Sequence, residues 1–194
     1  LLLQAEKLGI PCANGMVMLA AQAIRASEIF TGKKAASGAL EHAIDLVKSK
    51  TMNIVLIGMP GCGKSAVAEA LGKALGREVL DTDAYIEEHT GYTPEQIITM
   101  QGESGFRTHA IVATGGGAVL HEENYAPLHQ NGVIFWLRRD LDKLERDGRP
   151  LSRAGNLNAM YEMREKRYLR FADYIIDNNR ALEDTVEGIR KVIL

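Results

Sequence analysis

Hydrophobic and polar positions change period once along this chain. Over residues 1–50, rich in Ala, Leu and Lys, apolar residues recur at helical spacing and predict one helix from Gly15 to Phe30. Another is predicted from Gly38 to Lys48, after the break Thr31-Gly32-Lys33-Lys34. From Asn53 to Ile57 nearly every position is apolar and β-branched, the pattern of a strand buried on both faces of a parallel sheet. Glu78-Val79-Leu80 reads as a second strand, with Asp81-Thr82-Asp83 at its carboxyl edge. Ile111 to Thr114, Val133 to Leu137 and Tyr174 to Asp177 read as a third, fourth and fifth, while Ala84 to Met100 reads as helix interrupted at Gly91 to Pro94. Strands alternating with helices predict an α/β fold, a doubly wound five-stranded parallel sheet preceded by a short helical segment, with ligands at the strands' carboxyl ends.

Composition narrows the setting. A chain of 194 residues can bury a sizeable core without staples, and a net charge of only −2 gives no reason to expect nucleic acid or an anionic membrane as partner. No apolar run reaches the length of a membrane span and no signal peptide precedes the first strand, so a cytoplasmic protein is expected. The two cysteines, Cys12 and Cys62, lack metal-ligand spacing.

The densest chemistry follows the first strand. Gly58-Met59-Pro60-Gly61-Cys62-Gly63-Lys64-Ser65 matches the phosphate loop, in which glycines let backbone N–H groups curl around phosphate oxygens and the next helix points its positive end at the anion. Lys64 adds a charge for the β and γ phosphates and Ser65 a hydroxyl for Mg²⁺. The expected guest is a nucleoside triphosphate, ATP above others. Cys62 reads as a small residue of this loop rather than a redox group.

Further motifs sit at the other strand ends. If the chain stays extended through Asp81-Thr82-Asp83, both carboxylates point to one side, one for a cation's water shell and one for an attacking hydroxyl; the alternative is a helix N-cap. Gly102-Glu103-Ser104-Gly105-Phe106-Arg107 offers a guanidinium suited to a carboxylate, and Gly115-Gly116-Gly117 lets backbone approach a ring closely. Asp147-Gly148-Arg149-Pro150-Leu151 opens a polar stretch. Arg164 to Tyr168 adds basic residues that, taken alone, read as a solvated helix face.

In this order, G-x-x-G-x-G-K-S, L-D-T-D-x-x-I, G-E-S-x-F-R, A-T-G-G-G-A-V, G-R-P-L and R-x-x-x-Y resemble shikimate kinase over roughly residues 52–194. The resemblance implies a P-loop kinase that moves the ATP γ-phosphoryl to the 3-hydroxyl of shikimate. It implies that Gly61, Cys62, Gly63, Lys64, Ser65 and Ala66 hold ATP, and that Ser65 binds Mg²⁺ with Asp81 acting mainly through water. Asp83 would hold the substrate hydroxyl as base or aligner, Arg107 and Arg164 the carboxylate, and Gly115, Gly116 and Gly117 the ring. Arg149 would be a catalytic lid residue also touching ATP, and Arg146 and Arg180 would flank the adenine. Gly155 and its neighbours would belong to the lid, which excludes water.

One departure stands out. Only three residues separate Arg107 from Ile111, too few to finish a helix begun near Glu103 and enter a parallel strand; the resemblance implies a longer crossover helix. Residues are therefore expected to be missing from the numbering here, with a smaller deficit between Leu151 and Leu157. Residues 14–33 resemble the carboxyl-terminal helical segment of shikimate dehydrogenase, with Gln22 matching a substrate-touching glutamine. This implies a parent protein with a dehydrogenase module in cis. The competing readings are a P-loop kinase for another small hydroxylated metabolite and a silent nucleotide-binding module.

Overall fold

A computed structural model describes residues 2–83, 109–145 and 157–193. Two compact units divide the chain, Leu1–Thr51 with Ile193–Leu194, and Met52–Val192. In the first, α1 (Leu2–Lys7) precedes α2 (Met16–Thr31) and α3 (Ala39–Thr51). The last two are the helices the pattern predicts; α1 is too short for periodicity to reveal. Gly32 ends α2 in the left-handed conformation (φ 68°), its N–H donating to the Glu28 carbonyl. Ala20 is the one buried residue of α2, and α3 buries none.

The second unit carries five parallel strands, β1 (Asn53–Ile57), β2 (Val79–Asp81), β3 (Ile111–Ala113), β4 (Gly132–Arg138) and β5 (Tyr174–Asp177), in the order β2-β3-β1-β4-β5. The fold class read from the sequence is the one observed. β1 is buried at all five positions because β3 and β4 flank it: Leu56 pairs with Ala113 on one side and Phe135 on the other. Register then aligns the carboxyl ends of all five strands. Around the sheet lie α4 (Lys64–Leu75), α5 (Tyr125–Gln130), α6 (Leu157–Phe171) and α7 (Leu182–Ile193). Helix α4 buries Val67, Ala68 and Leu71, and α6 buries Arg164, Tyr168 and Phe171, both at helical spacing.

The expectation of residues missing from the numbering before β3 and between Leu151 and Leu157 falls on stretches outside the described residues. Among the described residues His109 is the one non-glycine with positive φ, 83°, two positions before β3. Such a conformation costs an L-residue roughly 1–2 kcal/mol.

The extended reading of Asp81-Thr82-Asp83 is corrected. Strand β2 ends at Asp81 and helix begins at Thr82, because the Asp81 carboxylate accepts the Asp83 backbone N–H at 3.0 Å. That contact is helix capping, the competing role for this motif.

Candidate active site

Between β1 and α4 the chain turns through Gly61 (φ 80°) and Gly63 (φ 91°). Gly61 is fixed from outside: its carbonyl accepts the Glu145 N–H at 3.1 Å, and a Cβ on Gly61 would stand 2.3 Å from the Glu145 carbonyl oxygen. Gly63 caps α4 without a side-chain hydrogen bond, leaving the first N–H groups of that helix as donors for a ligand. Lys64 is 7% exposed, its ammonium donating at 3.1 Å to the carbonyls of both Gly58 and Met59. Cys62 is fully buried, within 3.9 Å of that ammonium, as a small loop residue should be. Ala66 is exposed on the first turn of α4.

The Asp81 carboxylate serves two partners. One oxygen caps Asp83, and the other accepts the Ser65 hydroxyl at 2.6 Å, joining the first turn of α4 to the end of β2. A hydroxyl and a carboxylate beside a phosphate loop form a hard oxygen pair of the kind that suits Mg²⁺, an ion that takes few protein ligands and keeps phosphate and water for the rest. Among the described residues no cluster of three His, Cys, Asp or Glu forms a fuller cage.

Asp83 reaches the triple-glycine turn. A Cβ on Gly115 would lie 2.3 Å from one Asp83 carboxylate oxygen, so the carboxylate rests directly against the glycine backbone. Thr82, buried between them, accepts the Gly115 N–H at 2.9 Å. A Cβ on Gly116 would stand 2.6 Å from the Pro60 ring, which brings the turn against the phosphate loop; Gly117 is exposed with room around it.

Beneath this turn, Arg164 is 6% exposed, which overturns the solvated-face reading of its stretch. It donates to the Gly116 carbonyl at 2.9 Å, while its buried Nε has no hydrogen-bond partner among the described residues. A buried guanidinium with spare donors costs on the order of 1–3 kcal/mol unless something anionic meets it. Tyr168, stacked on Trp136 at 5.4 Å, shares the Gly116 carbonyl, and burial pushes its phenol far above the ordinary tyrosine range, with Arg164 opposing.

The structure thus brings together Gly61, Cys62, Gly63, Lys64, Ser65, Ala66, Asp81, Asp83, Gly115, Gly116, Gly117 and Arg164. Arg180 is exposed just beyond β5 at the same sheet end. Arg107, Arg146 and Arg149 lie outside the described residues, as do Gly155 and the 84–100 helix. Several residues escaped the sequence. Asn178, buried after β5, donates to the Cys62 carbonyl at 2.5 Å and accepts the Thr185 hydroxyl at 2.7 Å, so α7 clamps the phosphate loop. Nothing local marks Asn178 or Thr185; only its place after a strand could have suggested Asn178.

The shikimate kinase family matches residues 60–194. The chain belongs to the shikimate kinase family. The shikimate kinase of Burkholderia lata is 34% identical, the similarity covering 73% of this chain and 88% of the relative. That of Symbiobacterium thermophilum is 36% identical, covering 71% and 94%. Among solved structures, the shikimate kinase from Acinetobacter baumannii in complex with shikimate shares 30% identity at a TM-score of 0.61, covering 77% of this chain and 96% of that one. The shikimate kinase from Aquifex aeolicus shares 25% at 0.54. The family uses ATP as co-substrate, which suits the loop between β1 and α4. The match begins at Pro60 and leaves residues 1–59 uncovered.

Proposed function

We propose that this chain transfers the γ-phosphoryl group of ATP to the 3-hydroxyl of shikimate, giving ADP and shikimate 3-phosphate. The observation that carries the reading is the Asp83 carboxylate lying against Gly115, on a turn packed against Pro60 of the phosphate loop, in a member of this family. In that geometry Asp83 accepts the hydroxyl proton, or aligns the hydroxyl, as the new O–P bond forms. The bond from the γ-phosphorus to the β,γ-bridging oxygen breaks, and ADP leaves with that electron pair. Lys64 exchanges its loop carbonyls for phosphate oxygens, and buried Arg164 turns its spare donors to the shikimate carboxylate. Gly115, Gly116 and Gly117 line the ring. Ser65 would bind Mg²⁺, with Asp81 holding it mainly through water, and the ion would screen charge building on the phosphates. By resemblance Arg107 joins Arg164, Arg149 closes on the transferring group, and Arg146 and Arg180 flank the adenine.

A coupled ADP-release assay tests this, run with shikimate and with a panel of other hydroxylated acids and polyols. Release is expected with shikimate above all others. A better acceptor elsewhere in the panel would make this a kinase for another metabolite, and no stimulated release by any would make it a silent nucleotide-binding module.

We also propose that residues 1–50 are the carboxyl-terminal end of a dehydrogenase module fused to the kinase in a cytoplasmic parent protein. Supporting this, Val17, Met18, Leu19, Ile29 and Phe30 of α2 are between 51 and 88% exposed, an apolar surface that fits a piece of a larger core. Gln22 is exposed there too. Residues 1–50 hold no G-x-G-x-x-G turn, so by themselves they should support no NADP-dependent oxidation of shikimate. Sustained reduction of NADP⁺ above a no-enzyme blank would reject that division of labour.

A further inference from the structure

A second cation stands over the phosphate loop. Arg139 directly follows β4, at the sheet end where the loop leaves β1. Its Nη1 lies 3.6 Å from where a Cβ on Gly63 would be, so the guanidinium covers the residue that caps α4. The Asn178 side-chain nitrogen stands at the same distance from that point, and it is already committed to the Cys62 carbonyl.

A cation there is out of place electrostatically. The amino end of α4 carries the positive pole of its helix, which favours anions and disfavours guanidinium. The carboxylates next in line are engaged elsewhere: Asp140 with Lys143 at 3.2 Å and with the Asn179 amide at 3.1 Å, and Asp177 with that amide at 2.8 Å. The Arg139 Nε is buried and has no hydrogen-bond partner among the described residues, a condition it shares within this cleft with Arg164. Lys64 supplies a further charge one residue along from Gly63. Two cations and a helix pole converging on one loop favour a polyanion between them.

We propose that Arg139 is a further nucleotide-binding residue, giving its guanidinium to the phosphates of ATP from the β4 side of the loop. This rests on the kinase reading and deepens it, since it names a phosphate contact outside the loop motif and outside Arg146, Arg149 and Arg180. A guanidinium can hold two phosphate oxygens through parallel N–H groups, so it supplies orientation as well as charge. It binds equally before and after transfer, because ADP keeps the phosphates nearest Gly63. Its loss should therefore weaken nucleotide binding more than the chemical step.

Calorimetric titration of MgADP into the wild type, Arg139→Ala, Arg139→Gln and Arg139→Lys tests this, with steady-state KM and kcat measured beside it. Expected are a roughly tenfold weaker ADP affinity and higher KM for ATP in the Ala and Gln variants, and partial retention in Lys. Each should keep the KM for shikimate and stay within about threefold in kcat. Thermal melting of the Gln variant, which keeps most of the side chain's packing, separates ligand loss from misfolding. ADP affinity within twofold of wild type in folded Ala and Gln variants would overturn the inference while leaving the kinase reading intact. A wild type that binds ADP but releases none with shikimate would instead sink the kinase reading. Equal loss of shikimate and nucleotide affinity would also overturn the assignment, since it marks general disorder of the cleft.

Discussion

The two glycine-rich turns of this site use the same residue for opposite reasons. In the phosphate loop, Gly61 and Gly63 adopt left-handed backbone conformations, φ 80° and 91°, that side chains rarely tolerate. In the turn after β3, Gly115, Gly116 and Gly117 all lie outside that region, and what differs is the space beside them. Asp83 fills it at Gly115, Pro60 fills it at Gly116, and nothing within contact distance short of the Leu120 methyl fills it at Gly117. The phosphate loop needs backbone freedom, joined at Gly61 by close approach to Glu145, whereas the other turn rests on close approach alone, at Gly115 and Gly116. The phosphate loop should thus fail as a fold when altered, and the triple-glycine turn should fail as a site.

Gly61→Ala gives the largest expected effect. Its Cβ would meet the Glu145 backbone as well as a strained φ, and backbone cannot swing aside. Nucleotide binding should be lost, with a stability loss of roughly 3 kcal/mol or more in denaturant titration. A melting point and ADP affinity near wild type would remove the conformational half of the comparison.

Gly115→Ala should leave the fold standing and still cost most of the turnover. The atom in the way belongs to the Asp83 side chain, which can rotate, and the rotation takes the carboxylate from its post. We expect a fall in kcat of about 100-fold with ADP affinity unchanged, measured by coupled assay and calorimetry. If ADP affinity falls with it, the turn supports the loop rather than the acceptor.

Thr185→Val removes the hydroxyl that holds Asn178 against the Cys62 carbonyl while keeping shape. About 1–2 kcal/mol of stability should go, together with a several-fold rise in the KM for ATP that Thr185→Ser restores. Unchanged KM would mean that α7 braces the fold without setting the loop. Smallest of all, Gly117→Ala enters space free of protein atoms at ordinary φ, so stability should stay within about 0.5 kcal/mol, and the one change expected is a rise of a few-fold in the KM for shikimate, whose ring Gly117 lines. An unchanged KM would show that the ring does not approach Gly117.

How much of this was legible beforehand follows the same division. Apolar runs placed all five strands, and the loop motif placed Lys64 and Ser65, because both signals are local. The reading of Asp81-Thr82-Asp83 as extended failed because a single carboxylate both caps a helix and reaches Ser65, two tasks the sequence presents as rivals. Taken alone, Arg164 reads as a solvated residue, because burial on α6 depends on a carbonyl 48 residues away; only the resemblance singled it out. Asn178 touches the loop across 116 residues, a pairing no local pattern encodes. The crossover before β3 lies outside the described residues, and only His109 at its far end, with its positive φ, is seen.

The most direct measurement takes Asp83→Asn through both assays, shikimate-dependent ADP release and ADP binding. The substitution keeps shape and contact with Gly115 while removing the anionic proton acceptor. The account predicts a loss of turnover of about 100-fold or more, with ADP affinity within twofold of wild type. Turnover within a few-fold of the parent would contradict it, because the carboxylate that rests on the triple-glycine turn would then have no part in the transfer.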